Sequence, residues 1–115
     1  MPAARVLARE LALRPHAGRT FAVAGILRDK DAAGIAREMR GCIDRWILGS
    51  LPGPRGMSAD ELAAALGEVG EGAAREPNVA SACERALREA RPADRIVVFG
   101  SFLTVGPALE WLRLY

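Results

Sequence analysis

The sequence predicts a three-layer α/β fold, a mostly parallel sheet with helices on both faces. Three observations carry the prediction. Residues 96–99 (Ile-Val-Val-Phe) are a short unbroken run of β-branched and aromatic residues, the pattern of a strand covered on both faces. Gly100-Ser101 then interrupts the run, and Val105, Ala108, Leu109 and Leu112 recur at helical spacing, with Thr104 as N-cap and Pro107 in the first turn. The same alternation of strand and helix occupies the rest of the chain, and strands separated by helices imply crossover connections.

Taken in order, Ala4, Leu7, Ala8 and Leu11 mark one face of a first helix over residues 3–13, closed by Arg14-Pro15-His16-Ala17-Gly18. His16 is the single histidine and falls in that turn without a visible partner, which reads as a solvated loop residue rather than a base. Residues 20–27 form a strand through Phe21, Ala22, Val23, Ala24 and Ile26. Asp31 caps the following helix, whose buried side is Ile35, Ala36 and Met39 and whose end is Gly41. Residues 42–48 form the next strand, and a Pro/Gly-rich loop, residues 49–56, presents Arg55.

Ser58-Ala59-Asp60-Glu61 has the spacing of a capping box, in front of a helix that buries Leu62 and Leu66. Residues 67–76 are glycine-rich and ambiguous, with Val69 as a candidate for a short edge strand. Asn78 caps a helix that turns Val79, Ala82, Cys83, Ala86, Leu87 and Ala90 inward, and Pro92 stops it before the strand at 96–99. A last helix runs to about Arg113, leaving Trp111 and Tyr115 near the chain end.

At 115 residues the chain fits one domain, residues 1–115, with room for one core. The net charge of +2 comes from arginines interleaved with acids, which argues against nucleic acid as a partner. No apolar run is long enough for a bilayer, and residues 1–5 open straight into an amphipathic pattern, so neither a membrane span nor a signal peptide is expected. Cys42 and Cys83 lack metal-ligand spacing and read as reduced, partly buried thiols of a cytoplasmic protein. Neither a dinucleotide fingerprint nor a P-loop is present.

Two charged segments stand where strands end. Asp29-Lys30-Asp31 reads either as a cap with a surface ion pair or as a cluster where a phosphate or carboxylate docks, and spacing alone favours the former. Arg55 reads equally as a solvated loop residue or as a fork for an oxyanion.

Three segments, in this order, resemble one family: Gly25-Ile26-Leu27-Arg28-Asp29-Lys30-Asp31, Leu51-Pro52-Gly53-Pro54-Arg55-Gly56 ahead of the Ser58 helix, and Val98-Phe99-Gly100-Ser101-Phe102-Leu103-Thr104-Val105. The first looks like its Gly-x-x-x-Asp-Lys-Asp segment, the second like its Pro-Gly-Pro-Arg loop, the third like its Gly-Ser-Phe-x-Thr-Val signature. The family is that of bifunctional dihydrofolate synthase/folylpolyglutamate synthase. The resemblance covers residues 3–112 and is to its C-terminal domain, which shares its fold with the Mur ligases.

The resemblance implies an ATP-dependent ligase that joins glutamate to a folate-type carboxylate through an acyl phosphate, with Mg2+ and ATP bound mostly by a P-loop domain. It implies that Ser101 helps hold the incoming glutamate and that Asp29, Lys30 and Arg55 lie at the cleft facing that other domain. No residue of this chain is implied as catalytic or as a metal ligand. It further implies that the P-loop domain and an opening Asp-x-Ala-His-Asn strand are missing here, Pro2 matching the proline that follows that strand. An isolated chain of this kind is expected to be inactive, and a sheet short of that strand to self-associate through an exposed edge. The competing expectations are a non-enzymatic binding or assembly module derived from the domain, and an unrelated small α/β domain whose Gly-Ser turn holds a phosphate.

Overall fold

The computed structural model describes residues 18–99 and 103–107. Their elements are β1 (Thr20–Ala24), α1 (Ala32–Glu38), β2 (Arg45–Gly49), α2 (Ala59–Leu66), α3 (Glu68–Glu71), β3 (Ala74–Glu76), α4 (Val79–Glu89), β4 (Arg95–Phe99) and β5 (Leu103–Pro107). The strands form one sheet in the order β3-β2-β1-β4-β5. The first four are mutually parallel, and β5 runs antiparallel to β4. The expected first helix and His16 fall outside the described residues.

Because side chains alternate across a pleated strand, each central strand feeds two cores. On one face Ala22, Ala24, Trp46, Leu48 and Val97 pack with Ile35 and Met39 of the α1 region and with Leu62 and Leu66 of α2. On the other, Phe21, Val23, Ile47, Ile96 and Val98 pack with Ala82, Cys83 and Ala86 of α4. This is the predicted three-layer arrangement, and it explains why β1, β2 and β4 read as continuous apolar runs.

The helix starts are set by side-chain caps that satisfy otherwise orphaned amides. Asp31 accepts from the Gly34 N–H at 2.9 Å and Asn78 from the Ser81 N–H at 2.7 Å. Ser58 and Glu61 form the complete reciprocal box, each accepting from the other's backbone N–H at 3.0 Å. At the amino end of the sheet, buried Asp94 accepts from the Arg19 and Arg91 N–H groups at 2.7 and 2.8 Å. Burial alone would raise its pKa, but those donors, with the Arg19 guanidinium, hold it below the usual value. Asp44 accepts from the Thr20 N–H at 2.7 Å, so β1 and β4 both begin at fixed points.

Several boundaries differ from expectation. β1 stops at Ala24, and Leu27 instead makes an isolated antiparallel bridge to Gly56. β2 begins at Arg45 rather than Cys42, because the Asp44 N–H bonds the Thr20 carbonyl and residues 39–42 form the turn out of α1. Val69 lies in α3, packed against the α1–α2 core, and the edge strand comes later, at β3. Cys42 is half-buried, Cys83 is buried, and neither is in a disulfide.

The larger correction concerns residues 103–107. They form β5, with Thr104 opposite Val98, and not the start of a helix capped by Thr104. Leu103, Thr104 and Val105 suit a pleated ladder, and pairing there satisfies the outer backbone groups of β4. Pro107 sits at the ladder's end, where a missing donor is tolerated. Ala108, Leu109 and Leu112, which supplied the helical spacing, lie outside the described residues. No gap separates the described strands: β1 pairs directly with β4 from Thr20↔Arg95 to Ala24↔Phe99.

Candidate functional site

The chain steps outward from β1 to β2 to β3 with α1 and α2 on one face, then returns over the other face through α4 to place β4 on the far side of β1. The strand order therefore reverses between β1 and β4. In open α/β sheets the carboxyl ends of the strands at such a reversal border the ligand crevice. Here they carry the Gly25–Asp31 segment after β1 and, one strand over, the Gly49–Gly56 segment after β2.

Both segments start from glycines pressed against α4. A Cβ on Gly49 would lie 2.8 Å from the Asn78 carbonyl carbon and oxygen, and one on Gly25 would overlap the Val79 side chain. The second loop is closed at its neck by the Leu51 N–H to Met57 carbonyl bond, 3.0 Å. Gly53 turns it with φ of 87°, a conformation open to glycine. The Ser50 hydroxyl accepts from the Ala59 N–H at 2.8 Å, which ties the loop to the α2 N-terminus.

The two loops are stitched to each other. Besides the Leu27–Gly56 bridge, the Arg28 N–H donates to the Arg55 carbonyl at 2.7 Å. The Arg55 Nη2 donates to the Asp29 Oδ2 at 2.7 Å, an exposed pair. The Arg28 guanidinium grips Glu61 with both Nη atoms, at 2.6 and 3.2 Å, and its Nη2 also donates to the Gly56 carbonyl at 3.1 Å. These contacts set the protonation chemistry. The Arg55 hydrogen bond pulls the Asp29 pKa below its ordinary value. The Arg28 hydrogen bond, with the Ser58 N–H, brings Glu61 from 4.5 down to about 2. Arg28 is raised in return, chiefly by its hydrogen bond to Glu61.

Of the sequence-predicted site residues, the structure joins Asp29 and Arg55 directly and leaves Lys30 exposed beside them. Ser101 lies outside the described residues; β4, which leads to it, ends at Phe99 opposite Ala24. Nothing in the sequence singles out Arg28, and the spacing of Glu61 points only to a cap. No sequence signal joins residues 28 and 61, since their contact is made by the fold. Among the described residues no three His, Cys, Asp or Glu side chains converge to hold a metal ion, and no helix is long and apolar enough to cross a membrane.

Similarity to known proteins agrees with this geometry. The family model described as Mur ligase, glutamate ligase domain, matches residues 2–102. A dihydrofolate synthase/folylpolyglutamate synthase from Escherichia coli K12 is 37% identical over 108 residues, which is 94% of this chain and 25% of that protein. Among solved structures, E. coli FolC in complex with DHPP and ADP superposes with a TM-score of 0.78 at 32% identity, covering 97% of this chain and 25% of that one. A bifunctional folylpolyglutamate synthase/dihydrofolate synthase with Mn, AMPPNP and L-glutamate bound gives 0.75 at 36% identity, covering 97% and 26%. The chain thus spans about a quarter of the length of the curated relatives it matches. By the extent of the family match and the fold that carries it, the chain belongs to the Mur ligase glutamate ligase domain family.

Proposed function

We propose that this chain is a single domain acting as the glutamate-ligase part of an ATP-dependent, amide-forming ligase for folate-type substrates, working in the cytoplasm against a P-loop domain. In that reaction a carboxylate oxygen of the folate-type acid attacks the γ-phosphorus of ATP and ADP leaves. The glutamate amine then attacks the acyl phosphate carbonyl, and phosphate departs with one oxygen of the original carboxylate. Such a sequence needs cations on phosphoryl oxygens and a tightly oriented amine.

The observation that carries the reading is the joined pair of loops at the carboxyl ends of β1 and β2, which presents Arg55, paired with Asp29, and exposed Lys30 at one end of the sheet. Arg55 is a fork suited to phosphoryl or carboxylate oxygens, and Asp29 holds it by one Nη, leaving other N–H donors to a ligand. Lys30 adds a mobile point charge. Ser101 helps hold the incoming glutamate. ATP and Mg2+ are held mostly by the P-loop domain, with Mg2+ neutralising phosphate charge when bound. Among the described residues β3 and β5 are the outermost strands of the sheet, and copies of the chain would associate there in the absence of that partner.

The test mixes the purified chain with a P-loop domain of a related synthase and follows ADP release with dihydropteroate and glutamate. Release that requires both pieces and glutamate supports the reading. Release by the P-loop piece at the same rate without this chain rejects it, and leaves a binding or assembly module.

A further inference from the structure

Arg28 and Glu61 belong to none of the roles above, yet they govern the loop that carries Arg55. Four hydrogen bonds from Arg28 converge there: its N–H to the Arg55 carbonyl, its Nη2 to the Gly56 carbonyl, and both Nη atoms to Glu61. Glu61 is itself immobilised, because its Oε1 accepts from the Ser58 N–H at 3.0 Å in the first turn of α2. The clamp therefore runs from the end of β1 through the loop after β2 to a helix that is packed on the sheet.

Both side chains of the pair are about half exposed, at 53% and 45%. Exposed ion pairs contribute little to stability, so folding energy is a weak explanation for this convergence. Geometry is a better one. A planar guanidinium can grip two carboxylate oxygens and a carbonyl at once, and an ammonium cannot reproduce that fork. Arg28 also directly precedes Asp29, so fixing its backbone and its side chain fixes both partners of the Asp29–Arg55 pair.

We propose that Arg28, locked by Glu61, is a positioning residue that sets the orientation of Arg55 toward Asp29 and toward the ligand crevice. The link to a ligand rests on the ligase reading; the link between Arg28 and Arg55 does not. The Asp29 carboxyl is held below its ordinary value chiefly by the hydrogen bond from Arg55, with a smaller pull from the Lys30 charge, so it reports Arg55 placement.

The experiment titrates the Asp29 carboxyl by carbon-detected NMR in this chain and in Arg28→Lys, Glu61→Gln and Arg55→Ala. Arg55→Ala marks the midpoint of an Asp29 without its partner. Arg28→Lys keeps the charge and loses the fork, and its Asp29 midpoint is expected to rise at least halfway from wild type to Arg55→Ala. Glu61→Gln should move it in the same direction. An unchanged midpoint in both variants overturns the proposal, and so does loss of folding in both, which would make the pair a stability element instead. In the mixture with the P-loop domain, Arg28→Lys should lower kcat/KM in the same direction as Arg55→Ala, by up to about a hundredfold where contacts are misplaced by an ångström. If wild type shows no turnover there, the ligase reading fails while the Asp29 titration still decides the positioning role.

Discussion

Replacing Val97 with aspartate tests the placement of β4 inside the sheet. Val97 is 0% exposed, pairs with Ala22 on one side and Val105 on the other, and belongs to the core beneath α1 and α2. Among the described residues that core is apolar and offers such a carboxylate no cation, and an unpaired buried charge costs on the order of 3–5 kcal/mol. Val97→Ala separates this from simple loss of packing: two methyl groups at about 0.8 kcal/mol each, plus a small cavity, give roughly 2 kcal/mol. Small domains hold only about 5–15 kcal/mol in total. The aspartate should therefore lower the thermal midpoint by on the order of 10–20 °C, and alanine by about half that.

Burial raises the pKa of such an aspartate, so its penalty against wild type should grow as pH rises above about 4 and shrink in acid, where the neutral form is tolerated. Urea and thermal melts followed by far-UV circular dichroism at two pH values give both comparisons. A soluble Val97→Asp chain with the wild-type midpoint at neutral pH would refute the placement.

Other outcomes follow from the same geometry. Asn78→Ala removes the cap that starts α4 and should cost about 1 kcal/mol, read as a shift in the urea midpoint. Gly49→Ala drives a methyl group into the Asn78 backbone and should cost about 1–3 kcal/mol in the same assay, because backbone cannot swing aside as a side chain would. Glu61 is held at about 2 against an ordinary 4.5, so its contribution is complete above 4.5 and disappears as pH falls toward 2. The stability gap between wild type and Glu61→Gln should be small, as for an exposed pair, and should narrow over that interval; a gap that widens as pH falls would contradict the Arg28 contact.

What the sequence disclosed, and what it hid, divides by range of interaction. Asp31, Ser58 with Glu61, and Asn78 act within three residues of themselves, so spacing alone located three helix starts. The apolar runs of β1 and β4 were legible because both faces of those strands are covered. Residues 103–107 misled because Val105 fits a helical count as well as a ladder, and only the outer edge of β4 decides between them. Asp29, Lys30 and Arg55 could be named through resemblance, but their pairing could not. It depends on a bridge between Leu27 and Gly56, made by neighbouring strands whose ends are far apart in the chain. Arg28 was hidden for the same reason: four bonds to residues 55, 56 and 61 leave no local pattern.

The most direct test of the ligase reading follows an oxygen atom. Dihydropteroate labelled with 18O in its carboxylate is incubated with ATP, Mg2+ and glutamate, using this chain, a P-loop domain, or both. Acyl phosphate formation moves one labelled oxygen into the released phosphate. The account predicts labelled phosphate only when both pieces are present, with the signal reduced by Arg55→Ala in this chain. Labelled phosphate from this chain alone, or none from the two together, would contradict it.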